Sequence, residues 1–332
     1  MPAEARGTHW PTYSELLTRD DAPPGSSWGL FGPDDELGTL NFLNEAGVLS
    51  ASHSVQRGRV FNLDHPINAF VPSPARHRRP ARHTIVEYRP HHLDDSLDDF
   101  FLQGSTQIDA LRHVGHHRYG FYNDTKLGEL VAGTPRLGIQ RWSETGIIGR
   151  GVMIDVAGYQ QRRGKSIDHE RAQQLKPDLI DAVLVDQGVV LNTGDIVLLR
   201  TDWLSYYRRL ATGRHGDDVP ALSCAGIAQS YATLAWIWDH GISLLASDNF
   251  ALEAYPASPE SPFADRDGDA EIDGLIHPHL IAMLGLAIGE LWALDELADD
   301  CARDGRFEFM IVAKPLNLVG GVGSPGNAVA IK

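Results

Sequence analysis

Apolar and polar positions change period several times along this chain. Val60-Phe-Asn-Leu-Asp-His65 alternates apolar and polar positions and predicts a strand, with Thr84-Ile-Val-Glu-Tyr88 as a second. Gly151-Val-Met-Ile-Asp-Val156, Gly194-Asp-Ile-Val-Leu-Leu-Arg200, Gly241-Ile-Ser-Leu-Leu-Ala-Ser-Asp248 and Phe307-Glu-Phe-Met-Ile-Val-Ala313 are short apolar runs. They predict strands buried on both faces. Helical spacing lies between them, from Pro177 to Gln187, from Ala225 to His240 and from Leu280 to Arg303. Strands alternating with helices predict an α/β or mixed α+β domain. The turn chemistry of Gly32-Pro-Asp-Asp35, wedged between apolar residues, marks residues 10–60 as ordered.

At 332 residues the chain fits one large α/β domain with an N-terminal extension, divided here as 1–60 and 61–332. A hydrophobic share of 42% with 22% charged residues is that of a globular enzyme. No apolar run reaches the roughly 20 residues that span a bilayer, and the first ten residues lack the apolar core of a secretory signal. Both points predict a cytoplasmic protein that inserts in no membrane. With 29 Lys and Arg against 44 Asp and Glu, the net charge of −15 repels nucleic acid. Cys224 and Cys301 stand far apart and predict two buried, reduced thiols.

The chemistry concentrates between Gln103 and His117, which reads Gln-Gly-Ser-Thr-Gln-Ile-Asp-Ala-Leu-Arg-His-Val-Gly-His-His. Asp109 and His113 lie four apart, on one face if the segment is helical, and such a pair can share a metal or a proton. A second group, His277-Pro-His279 with Glu290 further on, offers imidazole and carboxylate donors of the kind that bind Zn or Mn. Asp265-Arg-Asp-Gly-Asp starts like a calcium loop, but Ala270 and Ile276 occupy the positions that need Gly and a bidentate Glu, so a solvated acidic loop is expected. The basic stretch Pro72–Pro80 is expected to be a surface loop. There is no phosphate-cradling glycine loop, dinucleotide fingerprint or Gly-x-Ser-x-Gly elbow.

Several landmarks together resemble the cyclase family that includes bacterial kynurenine formamidase, isatin hydrolase and certain polyketide cyclases. They are Trp28-Gly-Leu-Phe-Gly32 through Asp35-Glu-Leu-Gly-Thr-Leu-Asn41, Gln107–His113 followed by Phe121-Tyr-Asn123, and Gly149–Asp155. Gly194–Thr201, Ile288-Gly-Glu-Leu-Trp292 and Pro315–Pro325 extend the match over nearly the whole chain. The resemblance implies a swivelling β/β/α-type single domain with a central barrel-like mixed sheet, and a homodimer or homotetramer. Trp28, Phe31 and Phe42 become candidates for a subunit contact or for burial within the chain.

The family signature is His-x-Gly-Thr-His-x-Asp-x-Pro-x-His. Its first His falls on Gln103, its Gly on Ser105, its Thr on Thr106, its second His on Gln107, its Asp on Asp109, its Pro on Leu111 and its last His on His113. Two metal-binding imidazoles are therefore glutamines, whose amides lack a strong nitrogen donor. The resemblance leaves two versions of the site. In one, Asp109, Glu290 and either His277 or His279 retain one divalent metal, Zn or Mn. In the other no metal is bound: Gln103 and Gln107 hydrogen-bond the substrate, Asp109 orients His113, and His113 moves the proton.

The implied activity is hydrolysis, or the reverse closure, of a cyclic or aryl-substituted amide or ester by water that is metal-bound or activated at His113. A metal-independent cyclase or dehydratase acting on a secondary metabolite by acid/base chemistry is the alternative, and a non-catalytic binding protein the third. The partner expected is a small, ring-bearing molecule, with Thr106, Tyr119, Phe121 and Tyr122 as candidate contacts. An imidazole base implies activity that rises with pH through about 6–7.

Overall fold

Thirteen strands occur among the residues that this computed structural model describes, 10–212, 222–264 and 274–332. In chain order they are β1 (Val60–Asn62), β2 (Arg82–Arg89), β3 (His92–Asp98), β4 (Gln107–Asp109), β5 (Ile147–Asp155), β6 (Gln174–Leu175) and β7 (Ile196–Arg200). They continue with β8 (Gly226–Ile227), β9 (Leu244–Ser247), β10 (Ala287–Glu290), β11 (Glu308–Ala313), β12 (Gly323–Pro325) and β13 (Ala328–Ile331). Nine of them form one sheet in the order β1-β13-β11-β5-β7-β9-β10-β4-β12. Its centre, β5-β7-β9-β10, is parallel, and every position of β9 and β10 is buried; for β9 this is what an apolar run opened by Gly predicts. Antiparallel strands close both sides: β11, β13 and β1 on one, β4 and β12 on the other. The sheet curls into a half-barrel, and the fold is a mixed α/β single domain.

The helix Pro177–Gln187 lies where its pattern predicts. Proline opens it, Gly188 stops it at φ 68°, and Ile180, Val183, Leu184 and Gln187 form its buried stripe. The predicted helix over 225–240 is shorter. Gly226–Ile227 is strand β8, and the helix Tyr231–Asp239 starts only where the Ser230 hydroxyl accepts the Thr233 N–H at 3.1 Å.

The long helix expected from Leu280 to Arg303 is three elements: a single wide turn His279–Met283, strand β10, and a helix Asp295–Asp304. Leu280–Leu284 and Leu286–Ile288 are all buried, so no polar face marks a period. Gly285 at φ 70° and Leu291 at φ 56° break the run on either side of the strand.

The segment before β1 packs into the main core. The Trp28 indole N–H donates to the Ala282 carbonyl at 2.6 Å, the Thr39 hydroxyl to the Ser243 carbonyl at 2.7 Å, and the Tyr13 amide to Asp239 at 2.7 Å. Trp28 is thus buried within the chain, while Phe31 and Phe42 pack edge to face at 5.4 Å beside Trp10. Strands β2 and β3 pair only with each other and are exposed along their whole length. The acidic loop 265–273 lies outside the described residues, and no described helix is long and apolar enough to cross a membrane.

Gly289 on β10 stands where the structure leaves no room for a side chain. A Cβ there would lie 2.5 Å from Trp292 Nε1 and 2.6 Å from the Ala246 Cβ, and that indole donates to the Gln107 carbonyl at 2.9 Å. Gly289→Ala is expected to cost about 1–3 kcal/mol. Gly128→Ala, at an open site with nothing within 4 Å, should stay within about 0.5 kcal/mol of the parent. Urea unfolding of both variants checks this; equal midpoints would remove the packing claim.

Candidate metal and acid/base site

Strand β4 is three residues long and supplies two of the candidate side chains. Alternation turns Ile108 to one face and Gln107 and Asp109 to the other. The β4–β10 register pairs Glu290 with Gln107 and Ile288 with Asp109, so Glu290 shares their face. The Gln107 amide nitrogen donates a short hydrogen bond to Glu290 Oε2. On the other flank, β12 places Gly323 opposite Asp109. A Cβ on Gly323 would fall 2.7 Å from Gln103 Nε2, so the glycine makes room for that amide.

The chain leaves β4 in a turn closed by the His113 N–H on the Ala110 carbonyl at 2.9 Å. Asp109 and His113 are therefore a strand end and a turn, not two positions on a helix. Their side chains still meet: His113 Nε2 lies 3.7 Å from Asp109 Oδ1, and Gln103 Nε2 lies 3.5 Å from His113 Nδ1. Arg78 of the basic loop donates to the Gln103 carbonyl at 2.7 Å, tying that loop to the site.

Asp109 is 1% exposed, and neither of its oxygens has a hydrogen-bond partner among the described residues. Burial pushes its carboxyl up from the ordinary value, with Glu290 adding to that and His113 and His277 opposing it. His277 faces it from the turn after Gly274. Its Nδ1 lies 2.5 Å from Glu253 Oε1 and its Nε2 3.2 Å from Glu290 Oε1. Burial alone would lower the pKa of His277, but hydrogen bonds to Glu253 and Glu290 outweigh it and hold it well above the ordinary value.

Glu253 is the residue that sequence reasoning missed. It is wholly buried, and besides His277 Nδ1 it accepts the backbone N–H groups of Ile276 at 2.8 Å and His277 at 3.0 Å and the Gln229 amide at 2.7 Å. A carboxylate on Nδ1 fixes the imidazole so that Nε2 points to Asp109 and Glu290. The available signal was one acidic residue inside the apolar run Ala251-Leu-Glu-Ala254, since a charge there must be paired.

Asp109, His277 and Glu290 each offer a donor atom, and these atoms lie within 4.8 Å of one another. Two carboxylates and one imidazole suit a Zn or Mn ion, and the orphaned oxygens of Asp109 are what such a cation would satisfy. The residues fit the group. His279 stands apart: its ring packs on Phe263 at 4.3 Å and edge-on to His116 at 4.9 Å, and burial pushes its pKa down to about 3.

Two expected substrate contacts are buried and hydrogen-bonded within the chain. Thr106 is buried, its hydroxyl donating to the Leu291 carbonyl at 2.5 Å and accepting the His65 N–H at 2.8 Å. Tyr122 is 0% exposed, with its hydroxyl on Asp35 at 3.0 Å, so it belongs to the core. Tyr119 and Phe121 keep partly exposed rings.

Fold and site together define a mixed α/β protein with a candidate one-ion centre at the joint between β4 and β10. Residues 35–254 match the family model described as "Putative cyclase", and the chain belongs to that family. It is 31% identical to a solved structure described as a novel cyclase, with a TM-score of 0.78 over 92% of this chain and 99% of that one. Isatin hydrolase A from Labrenzia aggregata, bound to benzyl benzoate, is 19% identical with a TM-score of 0.54, over 84% and 94% of the two chains. Isatin hydrolase A from Ralstonia solanacearum is 16% identical at the same TM-score, over 87% and 98%. At these identities the two hydrolases show a shared fold. No curated protein matches the sequence.

A buried carboxyl with a raised pKa binds its proton more tightly folded than unfolded, so its contribution to stability falls as pH rises above the unfolded value of about 4. In chelator-treated protein, Asp109→Asn is expected to remove that part of the pH dependence. At pH 7 it should raise stability by about 1–3 kcal/mol, because an unpartnered buried charge is gone. Denaturant unfolding at pH 5 and pH 7 checks this; an Asn variant less stable at pH 7 would show that Asp109 is satisfied by the protein alone.

Proposed function

We propose that this cyclase-family protein is a hydrolase that opens, or in reverse closes, a cyclic or aryl-substituted amide or ester, with His113 as its acid/base. The observation that carries this reading is the buried Asp109 carboxylate, held without a hydrogen bond between His113 on one side and His277 and Glu290 on the other. The fold shared with isatin hydrolases supports hydrolysis as the class of reaction.

Asp109 lies on the Nε2 side of His113 and favours the tautomer protonated there, which leaves Nδ1 to accept and return a proton. The Gln103 amide, 3.5 Å from Nδ1, is at the limit of a hydrogen bond and yields that position to a water. Its N–H groups then lie where a carbonyl oxygen beside that water gathers charge. Asp109 faces the imidazolium that forms and stabilises it. Asp109, His277 and Glu290 would hold one Zn or Mn ion, which when bound supplies Lewis-acid polarisation of the carbonyl. The partly exposed rings of Tyr119 and Phe121 suit a substrate that carries a ring.

The His113 side chain is 24% exposed and, among the described residues, makes only long polar contacts. His113→Ala is therefore expected to lower turnover by about 10²–10⁴ while changing stability by less than about 1 kcal/mol. A panel of cyclic and aryl amides and esters, assayed alongside urea unfolding, checks both; a variant that unfolds makes His113 structural. Metal removal decides the rest. Activity should vanish on exhaustive chelation and return with Mn²⁺ or Zn²⁺. Full activity in protein shown by elemental analysis to be metal-free would instead favour the acid/base cyclase or lyase, whose polar groups would be Gln103, Gln107 and the Asp109–His113 pair.

A further inference from the structure

Six buried side-chain atoms lack a hydrogen-bond partner among the described residues, and three of them belong to one strand: Gln107 Oε1 and both oxygens of Asp109. Half of the orphaned atoms thus sit at the candidate site. Gln107 is 1% exposed, so no solvent contact compensates its carbonyl.

The orientation of the Gln107 amide is dictated by its neighbour. One end lies against Glu290 Oε2 at less than an ordinary hydrogen-bond length. The amide nitrogen is the end that donates there, to a carboxylate oxygen; with the oxygen at that end two acceptors would face each other. The carbonyl oxygen is therefore the other end, about 2.2 Å across the amide from that nitrogen. It shares the sheet face of Asp109, and the β4–β10 ladder and the Trp292 indole on the Gln107 carbonyl hold the backbone in place.

We infer that Gln107 Oε1 is a ligand, completing with Asp109, His277 and Glu290 a site for a single divalent cation per chain. This rests on the metal reading of the site proposed above. The amide performs two tasks at once: its N–H fixes Glu290, and its oxygen adds a fourth, uncharged donor. Two carboxylates then balance the dication without further charge. One nitrogen and three oxygens suit Mn²⁺ as well as Zn²⁺.

The test is cation binding by the full chain after chelator treatment, titrated with MnCl₂ and followed by the electron paramagnetic resonance of free Mn²⁺. The parent should take up one Mn²⁺ per chain. Gln107→Leu should weaken binding at least 10-fold. Gln107→Glu, which loses the N–H but keeps a donor oxygen, should bind at least as tightly as the parent.

If the Leu variant does not fold, Gln107→Asn withdraws the amide by one methylene and should show the same loss. Unchanged affinity in the Leu or Asn variant overturns the inference, as does a stoichiometry of two. A Glu variant as weak as the Leu variant also overturns it, since Gln107 would then act only by holding Glu290. If neither the parent nor Asp109→Asn binds Mn²⁺ or Zn²⁺, the metal reading itself falls and takes this inference with it. Tight binding by the parent that is lost in Asp109→Asn but kept in Gln107→Leu removes Gln107 alone.

Discussion

Three carboxylates, those of Asp109, Glu253 and Glu290, converge with little contact with water, and the ion pairs they make among the described residues come only from histidines. His277 lies between Glu253 and Glu290, and its proton can offset one negative charge. His113 stands 3.7 Å from Asp109, too far for a hydrogen bond, and Arg78 acts on Asp109 only at a distance. Negative charge held this way in a low-dielectric interior is tolerated only where something is meant to neutralise it. On the reading proposed above, a cation or a protonated His113 would do so. The remaining features of the site follow from that imbalance: the Gln107 clamp on Glu290, the four-donor cradle around Glu253, and the glycine that admits Gln103.

The sheet provides the rigidity that this charge requires. Where the parallel strands end at β10, the sheet continues with antiparallel β4, and the two candidate ligands on these strands are held by a register between elements of three and four residues. Strand β12 locks the outer side of β4. A loop could not keep an unpartnered carboxylate in place; a strand with a neighbour on each side can. Only His277 comes from outside the sheet, and it is the one held by a carboxylate of its own.

Local chemistry made part of this legible in the sequence. Pro177 and Gly188 bracket a helix with its own stop signals, and the apolar run before Arg200 can only be a buried strand. Between Leu280 and Arg303 the same reasoning failed, because burial on every side erases the period that separates helix from strand. Asp109 and His113 could be paired from their spacing, although a turn and not a helix brings them together. Glu253 could not be placed, since its partners lie at residues 229, 276 and 277 and only the tertiary fold joins them. His277 and His279 were equivalent on paper. The turn that starts at His279 carries that ring to Phe263 and His116 and leaves His277 to face Glu290.

The glutamines at 103 and 107 change how labour is divided in the site. An imidazole at 107 would offer one lone pair and one N–H on a ring that also exchanges protons. An amide offers both a donor and an acceptor side by side and exchanges none. Gln107 can hold Glu290 in any protonation state of its surroundings, and Gln103 can present N–H groups without competing for a proton. His277 is held at both nitrogens between carboxylates. On the reading proposed above, proton transfer falls to His113, which stands beside Asp109 with part of its side chain open to solvent and, among the described residues, one nitrogen not paired with a carboxylate.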